Sequence, residues 1–528
     1  MKRNVLLITA DQLRHDALHC TGNPVVRTPN LDSIARSGVR YERAYVPNVT
    51  CTPSRSSLLT GQLPHTHGAW AVGVPLPTDA PSVASYLNAA GYHTALIGKG
   101  HFEPSYDPEL RYDEERLAHE DAHGPYRGFD TVSFAGHGPF DGHYGRFLQR
   151  EHPEWVGGFL NLRRRAAHPT NGFGGDTGAP DLVNNPVPTE LYHTSWVAQQ
   201  TVEYLAGLPD GEPWFVWMSF PDPHHPWDPP DEERHRVPWR ERPLPEYYPG
   251  NLARCREILA RKPDHWLGFF EGTFTGECSR GDWAANQLTA DQLREISATI
   301  DVEVELIDDA IGTVLKELER RGWGANTDII VTADHGDFQG EFGLLFKGGF
   351  HCDALMRVPL LWRPAPAMGI APAVVSTSVP LIDVTATIAA ACDTAPPAWI
   401  EGLPLPCTEA TAAVRPIIIT YDSPSSAVGM HLRTIRLDPF TCTVYEPSTI
   451  GIPTGHPPRL AGYTIANAST VSYRGTEGEL YDLSEDPREW DNRWNDPAMA
   501  TVRAELIATL YRVLPPRRDP WPQVEAPV

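Results

Sequence analysis

Lysine is scarce in this chain of 528 residues: five in all, at positions 2, 99, 262, 316 and 347, within 44 lysines and arginines together. Acidic residues number 67, and the net charge of −23 argues against nucleic acid or an anionic membrane surface as a partner. A local basic site can still override that field. Cysteine is sparse and unpatterned. The eight cysteines (20, 51, 255, 278, 352, 392, 407 and 442) form no CxxC pair, which excludes a zinc ribbon and a disulfide framework. Long apolar runs are missing, so no membrane span is expected. The opening run from Val5 to Ala10 is short and is cut by Asp11. It makes a poor secretory signal and points to the cytoplasm. The sequons at Asn48 and Asn467 are then chance matches. There is no repeat of solenoid period.

What is present reads as alternating strands and helices. Val5-Leu6-Leu7-Ile8-Thr9 and Asp328-Ile329-Ile330-Val331-Thr332 are the continuous apolar runs of buried parallel strands. Further strands are predicted at 41–46, 94–98 and 214–220. Helices are predicted from Thr28 to a stop at Gly38, at 82–90, at 194–208 and at 289–320. The last has Ile296, Ile300, Val304, Ile307, Ile311 and Leu315 on one face, and Thr289 with Gln292 at capping-box spacing. This alternation predicts an α/β fold built on a large doubly wound, mostly parallel sheet flanked by helices. Residues 102–190 and 228–285, rich in Gly, Pro, His and aromatics (171–175 for example), read as loop-rich insertions over a site. A composition break at 395–413 separates a catalytic domain, 1–410, from a smaller α+β domain, 411–528. The latter should hold a short antiparallel sheet, a helix near 499–513 and a Pro-rich tail. The tail after 514 is either an intersubunit arm, making a homo-oligomer, or a disordered end.

Cys51-Thr52-Pro53-Ser54-Arg55 opens a helix, with Pro53 in its first turn and Gly61 as its stop. A helix mouth concentrates unpaired N–H groups and favours an anion. Arg55 adds a fixed positive charge. Two strands end alike, in Asp11-Gln12 and Asp334-His335. In an open parallel sheet ligands gather at the carboxyl ends of strands. These four side chains make a mixed oxygen and nitrogen set for one divalent cation, calcium or manganese more than zinc. Two of the few lysines, Lys99 and Lys347, lie in strand-end loops. His101 follows Lys99 by two residues. His224 follows the strand at 214–220 in a loop stiffened by prolines, as a candidate general acid.

Taken in order, these motifs resemble the sulfatase family, within the alkaline-phosphatase-like superfamily. The family signature of Cys or Ser, then x-Pro-x-Arg and a later Thr-Gly, stands here as Cys51 to Arg55 with Thr60-Gly61. The second signature stands as Gly91-Tyr92-His93-Thr94 and Gly98-Lys99-Gly100-His101. The late pattern Leu-Tyr-Asp-Leu-x-x-Asp-Pro-x-Glu runs from Leu480 to Glu489. The resemblance implies hydrolysis of sulfate esters to inorganic sulfate and an alcohol or phenol. It implies that a formylglycine-generating enzyme oxidises Cys51 to Cα-formylglycine, whose hydrate attacks sulfur. Asp11, Gln12, Asp334, His335 and residue 51 would hold the metal. Arg55 and Lys99 would steady the hydrate and His101 act as base. Lys347 would contact the sulfate, and His224, or His225 if the register is off by one, would protonate the leaving oxygen.

Many sulfatases have Asp-Asp where this chain has Asp11-Gln12, and Asp-Asn where it has Asp334-His335. The softer set moves the expectation from calcium toward manganese. It resembles phosphonate monoester hydrolases, and in part choline-sulfatase-like members, so hydrolysis of phosphonate monoesters or phosphodiesters is the alternative. Retention of Lys99 and His101 favours sulfate esters. A binding protein with unmodified Cys51 is a third reading, which the intact set of motifs opposes. Trp70, Tyr106 and Trp227 are candidates for lining a leaving-group pocket.

Overall fold

The computed structural model describes residues 2–104, 107, 109–136, 142–156, 175–274, 284–393, 395–423, 428–447 and 471–524. Tyr106, Cys278, the sequon at Asn467 and most of the run at 171–175 lie outside them.

The apolar run at the start forms β1 (Asn4–Ala10), with all seven residues buried. Five more strands of the main sheet follow: β2 (Val39–Tyr45), β3 (His93–Gly98), β4 (Thr131–Phe134), β5 (Trp214–Phe220) and β6 (Thr327–Ala333). Strand β1 lies between β5 and β6 and is parallel to both. Strand β5 is parallel to β3, and β3 to β4. The strand Arg357–Arg363 runs antiparallel between β6 and β2. Ala373–Val375 closes the β2 edge. The sheet is therefore doubly wound and mostly parallel, as the alternating pattern predicts. Its central strands β6-β1-β5-β3 point their carboxyl ends at one edge.

The long helix runs from Ala290 to Arg320. Its capping box is formed, with Thr289 Oγ1 accepting from the Gln292 amide at 3.2 Å and Gln292 Oε1 accepting from the Thr289 amide at 3.0 Å. A separate antiparallel sheet of Ile417–Asp422, His431–Leu437, Phe440–Tyr445 and Gly478–Asp482 follows. The helix Ala500–Val513 buries Leu506 and Leu510.

The stretches read as loops contain more than loops. Thr131–Phe134 is the edge strand β4, and Asp113–Glu120 and Gly142–Glu151 are helices. Leu252–Leu259 and Asp264–Glu271 are helices as well. A strand of four residues and helices of eight to ten are too short for periodicity to register. In the tail, Trp521 stacks on Trp70 with centroids 5.9 Å apart, and Trp70 donates to the Pro522 carbonyl at 2.7 Å. That contact covers Trp70, a candidate pocket residue. Asn48 is fully buried, its amide donating to the Thr420 carbonyl. No described helix is long and apolar enough to cross a membrane.

Candidate active site

Helix α1 (Pro29–Ser37) follows β1, and α2 (Cys51–Thr60) follows β2. Helix α2 starts at Cys51 and ends at Gly61, which takes a left-handed conformation and donates to the Ser57 carbonyl at 2.7 Å. All ten residues of α2 are buried. Its mouth faces the carboxyl edge of the sheet. There β1 supplies Asp11, β6 supplies Asp334 and His335, and β3 supplies Lys99. One ligand atom from each of Asp11, Cys51, Asp334 and His335 fits within 4.8 Å of the others, and all four residues are buried. Cys51 Sγ lies 3.2 Å from His335 Nε2 and accepts from Lys347 Nζ at 2.9 Å. Lys99 forms an ion pair with Asp11.

Arg55 is fully buried and ties three strand ends together. Its Nε donates to Asp334 Oδ2 at 2.8 Å, and one terminal nitrogen donates to the Lys99 carbonyl at 3.0 Å and to Ser219 Oγ at 2.8 Å. Gln12 takes a positive φ of 68°. Its amide donates to Asp334 Oδ1 at 3.0 Å. Its side-chain nitrogen lies 3.2 Å from His225 Nδ1, while its Oε1 is buried with no hydrogen-bond partner among the described residues. His335 Nδ1 lies 2.8 Å from the Gly336 carbonyl, which leaves Nε2 toward the cluster.

The electrostatics follow from burial against charge. Burial pushes the Asp11 carboxyl up, but Lys99, Arg55, Lys347 and His335 outweigh it and hold Asp11 well below the usual carboxylate range. Burial and Asp11 push the Cys51 thiol up. Lys347, Lys99 and His335 overcome both and bring it below the ordinary thiol value. His101 is driven well below the usual histidine range by burial and then by Lys99. It is a neutral ring whose two nitrogens have no partner among the described residues.

The structure thus brings Asp11, Cys51, Arg55, Lys99, Asp334, His335 and Lys347 together. Gln12 and His101 sit at the margin of this group. The two loop histidines stack at 4.2 Å. His225 reaches Gln12, whereas His224 places Nδ1 2.5 Å from the His225 carbonyl. Trp227 stacks on Phe346, next to Lys347. Three neighbours escaped the sequence reading. Ser219 is the one hydroxyl in an otherwise apolar strand, a signal that was there to read. Asp337 is fully buried, and burial pushes its carboxyl up to about 7. Glu114 accepts from the backbone of the Lys99–His101 loop, and nothing local marks it.

A helix-mouth cysteine with two carboxylates and a histidine at the carboxyl edge of a doubly wound sheet defines a protein of the alkaline-phosphatase-like class. The sequence pattern of the family described as Sulfatase matches residues 3–394. The chain is 29% identical over 369 residues to an arylsulfatase of Clostridium perfringens, spanning 68% of each chain. It is 27% identical over 526 residues to the multifunctional alkaline phosphatase superfamily protein PehA of Trinickia caryophylli, spanning 95% of this chain and 93% of that one. Its fold is similar to that of the phosphonate monoester hydrolase of Agrobacterium radiobacter, with a TM-score of 0.70 at 23% identity over 97% and 96% of the two chains. The chain belongs to the sulfatase family of sulfuric ester hydrolases.

That family implies a metal and an oxidised cysteine. The residues present fit a cation. Two carboxylates, an imidazole and residue 51 converge. The buried Gln12 Oε1 lacks a partner among the described residues. The amines of Lys99 and Lys347 rest on Asp11 and Cys51.

Proposed function

We propose that this protein hydrolyses sulfate esters of small alcohols or phenols, after a formylglycine-generating enzyme has converted Cys51 to formylglycine. One divalent cation, manganese or calcium, would be held by Asp11, Gln12, Asp334, His335 and residue 51. The observation that carries the reading is the meeting of Lys99, Lys347 and Arg55 with two carboxylates around one side chain at a helix mouth. When bound, the cation and the hydrated aldehyde supply a nucleophilic oxygen and a positive clamp for the sulfate oxygens.

The chain's own groups do the rest. Arg55 fixes Asp334 and the Lys99 carbonyl in one frame, so the strand ends cannot drift apart during turnover. Lys347 places a cation where the sulfate group enters, and Lys99 balances Asp11. His101 is neutral, with neither ring nitrogen hydrogen-bonded among the described residues, the state a general base requires, and accepts a proton at one of them. His224, with Nδ1 on the His225 carbonyl, is the acid that protonates the leaving oxygen from Nε2. His225 is the alternative acid.

Hydrolysis of phosphonate monoesters is the second reading. It rests on Gln12 and His335 in the metal set and on the relative described as multifunctional. Rates on an aryl sulfate and an aryl phosphonate monoester, measured side by side, separate the two. A large phosphonate preference overturns the first. Chelation should abolish turnover and added manganese restore it. The tryptic peptide from Ala44 to Arg55, weighed after coexpression with the maturing enzyme, should carry formylglycine; cysteine alone would remove the nucleophile.

A further inference from the structure

The loop that carries Lys99 and His101 is held from several sides. Lys99 donates its amide to the Ser219 carbonyl at 2.8 Å, and Phe102 accepts from the Leu76 amide at 2.8 Å. Arg55 takes the Lys99 carbonyl. The amides of His101 and Phe102 both point at one carboxyl group. Glu114 Oε2 accepts from the His101 amide and Oε1 from the Phe102 amide, each at 2.7 Å. His101 has a φ of 63°, a left-handed backbone uncommon outside glycine.

Glu114 is itself braced. Tyr126 donates its hydroxyl to Oε1 at 2.7 Å, and the Glu114 amide donates to Glu103 Oε2 at 3.1 Å. Arg127 closes the set, donating to Glu103 Oε1 at 2.7 Å and to the Tyr126 hydroxyl at 3.0 Å. The fit is close. A Cβ on Gly100 would stand 2.9 Å from the Glu114 carboxyl carbon. The His101 ring, by contrast, has no hydrogen bond of its own to fix it among the described residues. Its position depends on its backbone, and its backbone depends on Glu114.

We propose that Glu114 is a positioning residue of this active site, placing the His101 ring by gripping two successive amides of its loop. The proposal rests on the reading of His101 as a group that acts in turnover. Glu114→Gln keeps the size and one carbonyl oxygen but turns an NH₂ group toward the second amide. On whichever ester the wild-type protein turns over fastest, kcat should fall about 10- to 100-fold while KM changes less than about threefold. Hydrogen exchange should speed up at the amides of residues 101 and 102 and stay slow along β3. In a His101→Ala background the same substitution should cost less than about threefold more. Tyr126→Phe removes one brace and leaves both amides in place. It should give a smaller loss that also vanishes without His101, and it serves if Glu114→Gln does not fold. Losses that multiply in the double variants, or wild-type kcat in Glu114→Gln, overturn the proposal. Wild-type kcat in His101→Ala alone removes the role of His101 and this proposal with it. A wild-type preference for phosphonates overturns only the substrate reading.

Discussion

Arg55 shows what a single side chain does here. Its guanidinium reaches an acid from β6, a carbonyl after β3 and a hydroxyl in β5 at once. A lysine ammonium can neutralise Asp334 but cannot span all three. Arg55→Lys should therefore lower kcat/KM by about a hundredfold or more; a loss under about tenfold would show that charge, not the fork, is what matters. The two histidines separate by leaving group. The variant that lacks the true acid, His224→Ala or His225→Ala, should lose far more on an alkyl sulfate than on an activated aryl sulfate, because only the poor leaving group needs a proton. Equal losses on both substrates would remove that histidine from proton transfer. Asp11, Cys51, Arg55, Lys99, Asp334 and Lys347 were legible in the sequence because each sits where a local pattern changes, at a strand end or a helix mouth. Glu114 and Asp337 were not, since their meaning lies in what the fold sets against them.

At the scale of elements the site depends on how closely β3 and β5 approach at their carboxyl ends. Gly98 closes β3 with a φ of 105°, and a Cβ there would lie 1.7 Å from the Ser219 carbonyl oxygen. No flexible side chain can yield at that point; the obstacle is backbone. Gly98→Ala should cost more than about 3 kcal/mol and disturb both Lys99 and Ser219. Gly322→Ala is the matched control. Its φ of 69° is also left-handed, but no described atom lies within 4 Å of the added Cβ, so it should cost only about 1–2 kcal/mol. Thermal melts of the pair test this, and equal shifts would mean that backbone conformation, not contact, sets the penalty. The long helix and the central strands were readable from their periods. Strand β4 was not, because four residues beside an irregular stretch carry no period, and only pairing with β3 makes them a strand.

Over the whole molecule, which carries a net charge of −23, the cost of burying acid shows away from the cluster around Cys51. Behind the loop of His224 and His225, Asp228 is buried against the long helix, its amide donating to Glu303 Oε1 at 3.0 Å. Burial pushes the Asp228 carboxyl from 3.8 up to about 8, with Asp222 adding to the rise and His193 and Arg234 opposing it. Below about pH 4 this acid is protonated whether the chain is folded or not. As pH rises from there to about 8, the unfolded chain ionises while the folded one keeps its proton. Stability then falls by up to about 1.4 kcal/mol per pH unit and levels off above the folded value. Asp228→Asn removes that term and leaves the Asn185 bond to the residue-228 carbonyl in place. Glu303, also pushed well up by burial and by Asp222 and Asp228, contributes a slope of the same sign that the variant retains. The melting temperature of Asp228→Asn relative to wild type should therefore climb steadily between pH 5 and pH 8, and parallel curves across that range would show that Asp228 ionises freely in the folded protein.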